Sequence, residues 1–250
     1  MLLNVQHIQK IYGKGPNQVI ALKDVNFTVE AGEFIAIMGE SGSGKSTLLN
    51  IIATLDQPSA GQVSLNGKKL ADISSQDTAK FRREQLGFVF QDFNVLNTFN
   101  NQDNILLPLV LSGCKVDDMK RKLENVARLL GIESLLKHFP YEISGGQRQR
   151  VAIARAIITD PDLVLADEPT GALDSKTADQ MMRLFQSINQ EGNTILMVTH
   201  SIRAASAAKR VLFIRDGIVF HEIYRGQASS LEFQEQIANS LALLNRKEQY

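Results

Sequence analysis

Apolar residues near the start of the chain alternate with polar ones: Leu3, Val5 and Ile8, then Val19, Ala21, Val25, Phe27 and Val29. Alternate side chains of a strand share one face, so residues 1 to about 35 predict antiparallel strands. Phe34-Ile35-Ala36-Ile37-Met38 is unbroken and apolar, which predicts a strand buried on both faces. A glycine-rich loop follows, and Lys45 to Leu55 reads as a helix. Gln62 to Leu65 with Asn66-Gly67 predicts a strand and a tight turn, and Phe88-Val89-Phe90 a further short strand. From about Gln91 to Ile158 the pattern is helical, with Val116, Met119, Leu123, Val126, Ala127 and Leu130 near one helix face. Alternation of strand and helix resumes at Leu163 (strand), Thr177 to Ile188 (helix), Thr194 to Val198 and Val211 to Ile214 (strands). The order implies an α/β protein, a parallel core with an inserted helical subdomain. After Gly226, the spacing of Leu231, Gln234, Ile237, Leu241 and Leu244 predicts one amphipathic helix that docks through its apolar face.

Composition narrows the classes. The 250 residues are 44% hydrophobic, enough for one large domain or one domain with an insertion. Lys plus Arg equals Asp plus Glu at 27 each, so no global basic field argues for nucleic acid. Cys114 is the single cysteine, which excludes an internal disulfide and fits a reducing compartment. Cysteine and histidine spacings typical of metal sites are absent from the sequence. No apolar run approaches the roughly 20 residues that span a bilayer, and Met1-Leu2-Leu3-Asn4 does not resemble a signal peptide. Work at a membrane therefore calls for a separate transmembrane chain.

The chemistry concentrates in three segments. Gly39-Glu40-Ser41-Gly42-Ser43-Gly44-Lys45-Ser46-Thr47 fits G-x-x-x-x-G-K-[ST] and sits between a predicted buried strand and a helix. In that context backbone N–H groups and the helix N-terminus attract phosphates, Lys45 reaches the β- and γ-phosphates, and Ser46 ligates Mg2+. Ser144-Gly145-Gly146-Gln147 opens a second predicted helix, Arg148 to Ile158, giving a second anion-binding end. Two such ends make sense if a second copy of the chain presents its Ser-Gly-Gly turn to the first copy's γ-phosphate. Leu163-Val164-Leu165-Ala166-Asp167-Glu168 is an apolar strand ending in two acids. Asp167 is a candidate Mg2+ ligand, direct or through water, and Glu168 a candidate to polarise the attacking water.

Together these segments resemble the ATPase domain of ABC proteins over residues 3 to about 223, with Ile143 where many members have leucine. The resemblance implies a P-loop NTPase core with an N-terminal antiparallel β subdomain. It assigns Tyr12 to adenine stacking, Gln91 to the Q-loop and Mg2+, Asp174 of Gly171-Ala172-Leu173-Asp174 to the D-loop, and His200 of Thr199-His200 to the γ-phosphate. His200 alone would read as a structural histidine. The implied domain layout is an ATPase domain at 1–225, with the helical subdomain at about 91–160, and a helical tail at 226–250. The implied assembly is a head-to-tail homodimer that sandwiches two ATP molecules and drives an integral-membrane permease from the cytoplasmic face. Phe93 and Phe99 are either part of the permease groove or ordinary core aromatics. Ala166 to Asp174 and Phe90 to Leu96 resemble the macrolide-exporter and lipoprotein-release group. Ile105-Leu106-Leu107-Pro108-Leu109 and Phe213 to Gly217 resemble its bacitracin-resistance type. The rival implied by the same motifs is a cell-division ATPase that regulates a wall hydrolase without moving solute.

Overall fold

The computed structural model describes residues 1–246, with side chains through Leu243. In chain order the elements are β1 (Leu3–Tyr12), β2 (Val19–Val29), β3 (Phe34–Met38), α1 (Lys45–Ile52), β4 (Ala60–Leu65), β5 (Lys68–Lys69), α2 (Thr78–Gln85), β6 (Leu86–Val89), α3 (Asn101–Leu111), α4 (Val116–Leu130), α5 (Gly145–Ile157), β7 (Leu163–Asp167), α6 (Ser175–Gln190), β8 (Ile195–Val198), α7 (Ile202–Ala205), β9 (Arg210–Arg215), β10 (Ile218–Tyr224) and α8 (Ser230–Arg246). They form two compact units. One joins Met1–Leu70 to the chain from Leu196 onward, and the other is Ala71–Ile195.

In the first unit the strands run in the order β5-β4-β1-β2-β10-β9-β3-β8. β1 lies between β2 and β4, antiparallel to both, so that Val5 faces Phe27 on one side and Val63 on the other. β3, buried at every position, pairs in parallel with β9 from Ile35↔Arg210 to Met38↔Phe213. The predicted turn after β4 is present, with Asn66 at φ 50° and Gly67 at φ 75°. A second turn of this kind, Asp216-Gly217, joins β9 to β10, a strand the hydrophobic pattern did not suggest.

The predicted tail helix is α8, and it docks on its own chain, against α7. Its N-terminus is fixed by a reciprocal cap: the Ser229 N–H donates to Glu232 at 2.8 Å and the Glu232 N–H to the Ser229 hydroxyl at 3.3 Å. The docking face shares Ile237 with the predicted stripe but not Leu231. Phe233 and Ile237 are fully buried, one turn apart, whereas Leu231 is 68% exposed. Burying these two side chains contributes about 1.5–3 kcal/mol each, and Leu231 adds nothing to it. The predicted Leu244 contact lies outside the described side chains.

In the second unit β6 and β7 pair in parallel, from Leu86↔Leu163 to Val89↔Ala166. Phe90 falls just past β6 and stacks on Phe88, with centroids 4.0 Å apart, so Gln91 follows the strand rather than ending it. Helix α4 matches the predicted 116–130 at both ends and stops at Gly131 in the left-handed region, φ 62°. Its buried face holds Leu123, Ala127 and Leu130, while Val116 is exposed. Helix α2, unannounced by any apolar stripe, buries only Phe81.

Asn104 organises the irregular segment after Gln91. Fully buried on α3, it accepts from the Leu96 N–H at 2.7 Å and donates to the carbonyls of Leu96, Phe99 and Asn100 at 2.9, 3.1 and 3.0 Å. Asn104→Ala strands these backbone groups and is expected to destabilise the fold by about 2–4 kcal/mol. Denaturant unfolding checks this; a midpoint unchanged from wild type would contradict it.

Candidate functional site

In the first unit β3 delivers the chain into the glycine-rich loop. A Cβ on Gly39 would sit 2.2 Å from the Ile214 carbonyl oxygen, and one on Gly44, at φ 99°, 2.5 Å from that of Ala21. Neither position admits a side chain, so the loop keeps its curve and α1 begins at Lys45 with its N-terminus toward the loop. Lys45 is 8% exposed. Its Nζ donates to the carbonyls of Gly39 at 2.8 Å and Glu40 at 2.7 Å. The cation is thereby held inside the curve of the loop. Residues Gly39 to Ser43 line a cavity of about 370 Å3 together with His200, the end of β9, Phe220 and Leu241 of α8. The glycine-rich loop and His200 thus line one cavity. The wall contributed by α8 was not foreseen.

Tyr12, also in the first unit, is held by Asp56 and Lys10. Its hydroxyl donates to Asp56 Oδ2 at 2.7 Å. Lys10 lies 4.7 Å from the ring centroid and pairs with Asp56 at 2.5 Å. The residue is 41% exposed, accessible to a planar base. Burial, reinforced by the bond to Asp56, raises the Tyr12 phenol above its ordinary pKa. Burial also pushes Asp56 upward, but hydrogen bonds from Lys10, Tyr12 and the Gln57 N–H outweigh it and leave the carboxyl below its usual range. This contribution to stability is therefore present above the unfolded carboxyl value and is lost as pH falls through the lowered folded one.

In the second unit β7 ends at Asp167, and Glu168 follows with φ 45°, in the left-handed region. Both acids are half-buried. The Gly171 N–H donates to the Glu168 carbonyl at 2.9 Å, closing a turn. The Gln91 side-chain amide carbon lies 3.2 Å from where a Gly171 Cβ would sit, so Gln91 and the Glu168 turn are brought together. Ser144 and Gln147 form a capping box at the head of α5: Ser144 accepts from the Gln147 N–H at 3.3 Å, and Gln147 accepts from the Ser144 N–H at 2.9 Å. Gly145 and Gly146 occupy the first turn, beside Phe93, Leu173 and Thr177. Asp174 caps α6, accepting from the Lys176 and Thr177 N–H groups at 3.0 Å each. The Thr177 hydroxyl bond, ahead of the backbone ones, holds its carboxyl below the usual range.

Comparison with known proteins gives the family. The ABC transporter family model matches residues 22–171. The chain belongs to the ABC transporter family. It is 51% identical over 244 residues to the ABC transporter ATP-binding protein YxdL of Bacillus subtilis strain 168, covering 97% of this chain and 94% of that protein. It is 41% identical over 244 residues to the bacitracin export ATP-binding protein BceA of Halalkalibacterium halodurans, covering 97% and 96%. A dimeric, post-hydrolysis structure of the ATP-binding cassette MJ0796 bound to ADP and Pi superposes with a TM-score of 0.80 at 38% identity, covering 89% of this chain and 98% of that one. The chain is an ATP-binding, ATP-hydrolysing ABC subunit with the P-loop NTPase fold, an N-terminal β subdomain and a helical insertion.

Three side chains of this ABC subunit escaped the sequence reading. Arg155 of α5 donates to the carbonyls of Asn94 at 2.7 Å and Phe93 at 3.2 Å, fixing two consecutive left-handed residues just after Gln91. Burial lowers the Arg155 pKa. Arg148, seven residues earlier on the same face, lies 5.6 Å from the Phe93 ring centroid. Gln149 reaches the Pro169 carbonyl at 2.9 Å. The i, i+7 spacing of the two arginines was a readable signal; their loop partners were not. Phe93 is half-buried and Phe99 39% exposed, so neither is a core aromatic.

Proposed function

We propose that this subunit works as a homodimer energising a permease that confers resistance to, or exports, peptide antibiotics of the bacitracin type. The observation that carries this reading is the near end-to-end match, in both directions, to BceA. Among the described residues no helix is long and apolar enough to cross a membrane, which supports a peripheral position on the cytoplasmic face through a separate permease. The ATPase domain is taken as residues 1–225, with 91–160 as the helical subdomain.

In this reading Tyr12 stacks on adenine, and Gly39 to Thr47 wrap the phosphates with Lys45 as counter-charge. Gln91 and His200 sense the γ-phosphate, and Glu168 accepts the proton of the attacking water. Ser144 to Gln147 and Asp174 serve the nucleotide of the second copy. Ser46, Gln91 and Asp167 supply hydroxyl, amide and carboxylate oxygens, the hard donor set that suits Mg2+; the ion would neutralise phosphate charge during transfer. Permease docking falls to the groove of about 400 Å3 whose lining includes Phe88, Phe90, Pro108 and Leu111. Leu111 is 62% exposed there.

Deleting the gene and profiling sensitivity to peptide antibiotics, alongside cell shape, tests the assignment. Hypersensitivity to bacitracin-like drugs with normal shape is expected. Filamentation or chaining without hypersensitivity would move the subunit to cell-wall regulation during division.

A further inference from the structure

Gln149 lies on α5, one turn beyond Gly145 and Gly146, and is fully buried. Its Nε2 donates to the Pro169 carbonyl at 2.9 Å. Its Oε1 has no hydrogen-bond partner among the described residues. A buried amide with half its capacity unmatched is a standing cost, and methionine would fill the same volume without it.

What the amide holds is the turn that carries Glu168. At φ 45° Glu168 occupies a region disfavoured for a non-glycine residue, and the following proline further biases it toward extended backbone. Such a conformation persists only where its surroundings enforce it. Proline has no N–H, so the carbonyl is the one backbone hydrogen-bonding group by which Pro169 can be tied down. Two bonds bracket the strained residue: Gly171 N–H to the Glu168 carbonyl at 2.9 Å, and Gln149 to the Pro169 carbonyl.

We propose that Gln149 is a positioning residue for Glu168, keeping its carboxylate aimed while tying that aim to the Ser144–Gln147 head of α5. The inference rests on the reading of Glu168 as the group that accepts the water's proton. A change in the seating of α5 then reaches Glu168 of the same subunit through one side chain.

The test is steady-state hydrolysis of Mg-ATP by Gln149→Met and Gln149→Glu, with Glu168→Gln as reference. Gln149→Met is expected to lower kcat about tenfold or more, because misaimed catalytic groups lose rate steeply, with KM within about twofold of wild type. In Gln149→Glu burial raises the carboxyl pKa, and the protonated form donates an O–H to Pro169 as the amide does. Its kcat should approach wild type at low pH and fall with a step, as pH rises, that wild type lacks. If Gln149→Met folds poorly, this pH comparison alone decides. A wild-type kcat in Gln149→Met, a loss carried by KM, or a Gln149→Glu profile parallel to wild type each overturns the proposal. Near-normal turnover in Glu168→Gln instead overturns the reading of Glu168, a separate failure.

Discussion

Glu168→Gln is expected to bind ATP normally and to hydrolyse it about 10²- to 10⁴-fold more slowly, the range lost when a positioned base is removed. The amide has nearly the shape of the carboxylate, so the turn closed by Gly171 is kept while the acceptor for the water's proton is lost. ATP should then persist at its site and hold two copies together. Size-exclusion chromatography with Mg-ATP should show a dimer for the variant. Wild type should show chiefly monomer once its nucleotide is spent. A variant that stays monomeric at saturating ATP and turns over at the wild-type rate would remove Glu168 from the chemistry.

Lys45→Ala should fail at the preceding step. The residue is 8% exposed, and its ammonium is held at 2.8 and 2.7 Å from two loop carbonyls. Its loss leaves those carbonyls and the incoming phosphates without their cation. Charge-assisted hydrogen bonds of this kind contribute about 1.5–3 kcal/mol, and about 3 kcal/mol is on the order of a hundredfold in Kd. Nucleotide titration should show that loss, with turnover falling to background. Wild-type affinity and rate would show that the loop from Gly39 to Thr47 is not where ATP is held.

The two variants differ in what they disturb, and so do the features that sequence alone disclosed. The phosphate loop was legible because its covalent geometry demands glycine at fixed offsets: Gly39 and Gly44 are pressed against carbonyls. Helix α4 was legible because its apolar residues recur at helical spacing, and Leu123, Ala127 and Leu130 of that stripe are the ones buried. Strand β10 was missed although Asp216-Gly217 is a hairpin signal. Its ladder with β9 slips between Val219 and His221, and that irregularity breaks the alternation in the sequence. Helix α2 carries too few apolar residues to show a stripe. The tail was placed correctly as a helix with Ile237 on its buried face, but the pattern starting at Leu231 passed over Phe233, which is buried where Leu231 is exposed. For Arg155 and Gln149 it was the partner that could not be read, for a different reason. Each recognises a backbone carbonyl, of Asn94 and Pro169 respectively, and carbonyls are alike in every residue.

The discontinuity of the first unit has a consequence for biosynthesis. Strand β3 ends where the phosphate loop begins, yet its parallel partner β9 starts at Arg210, opposite Ile35. At roughly 5–20 residues per second, a ribosome needs on the order of ten to thirty seconds to make the intervening chain. During that interval five consecutive apolar residues, all buried in the finished protein, lack their β9 neighbour. Residues 71–195 are synthesised in one run before that pairing is possible. The newly made loop should therefore acquire nucleotide affinity late. Stalled chains truncated before β9 should be bound by chaperones rather than retained on immobilised ATP.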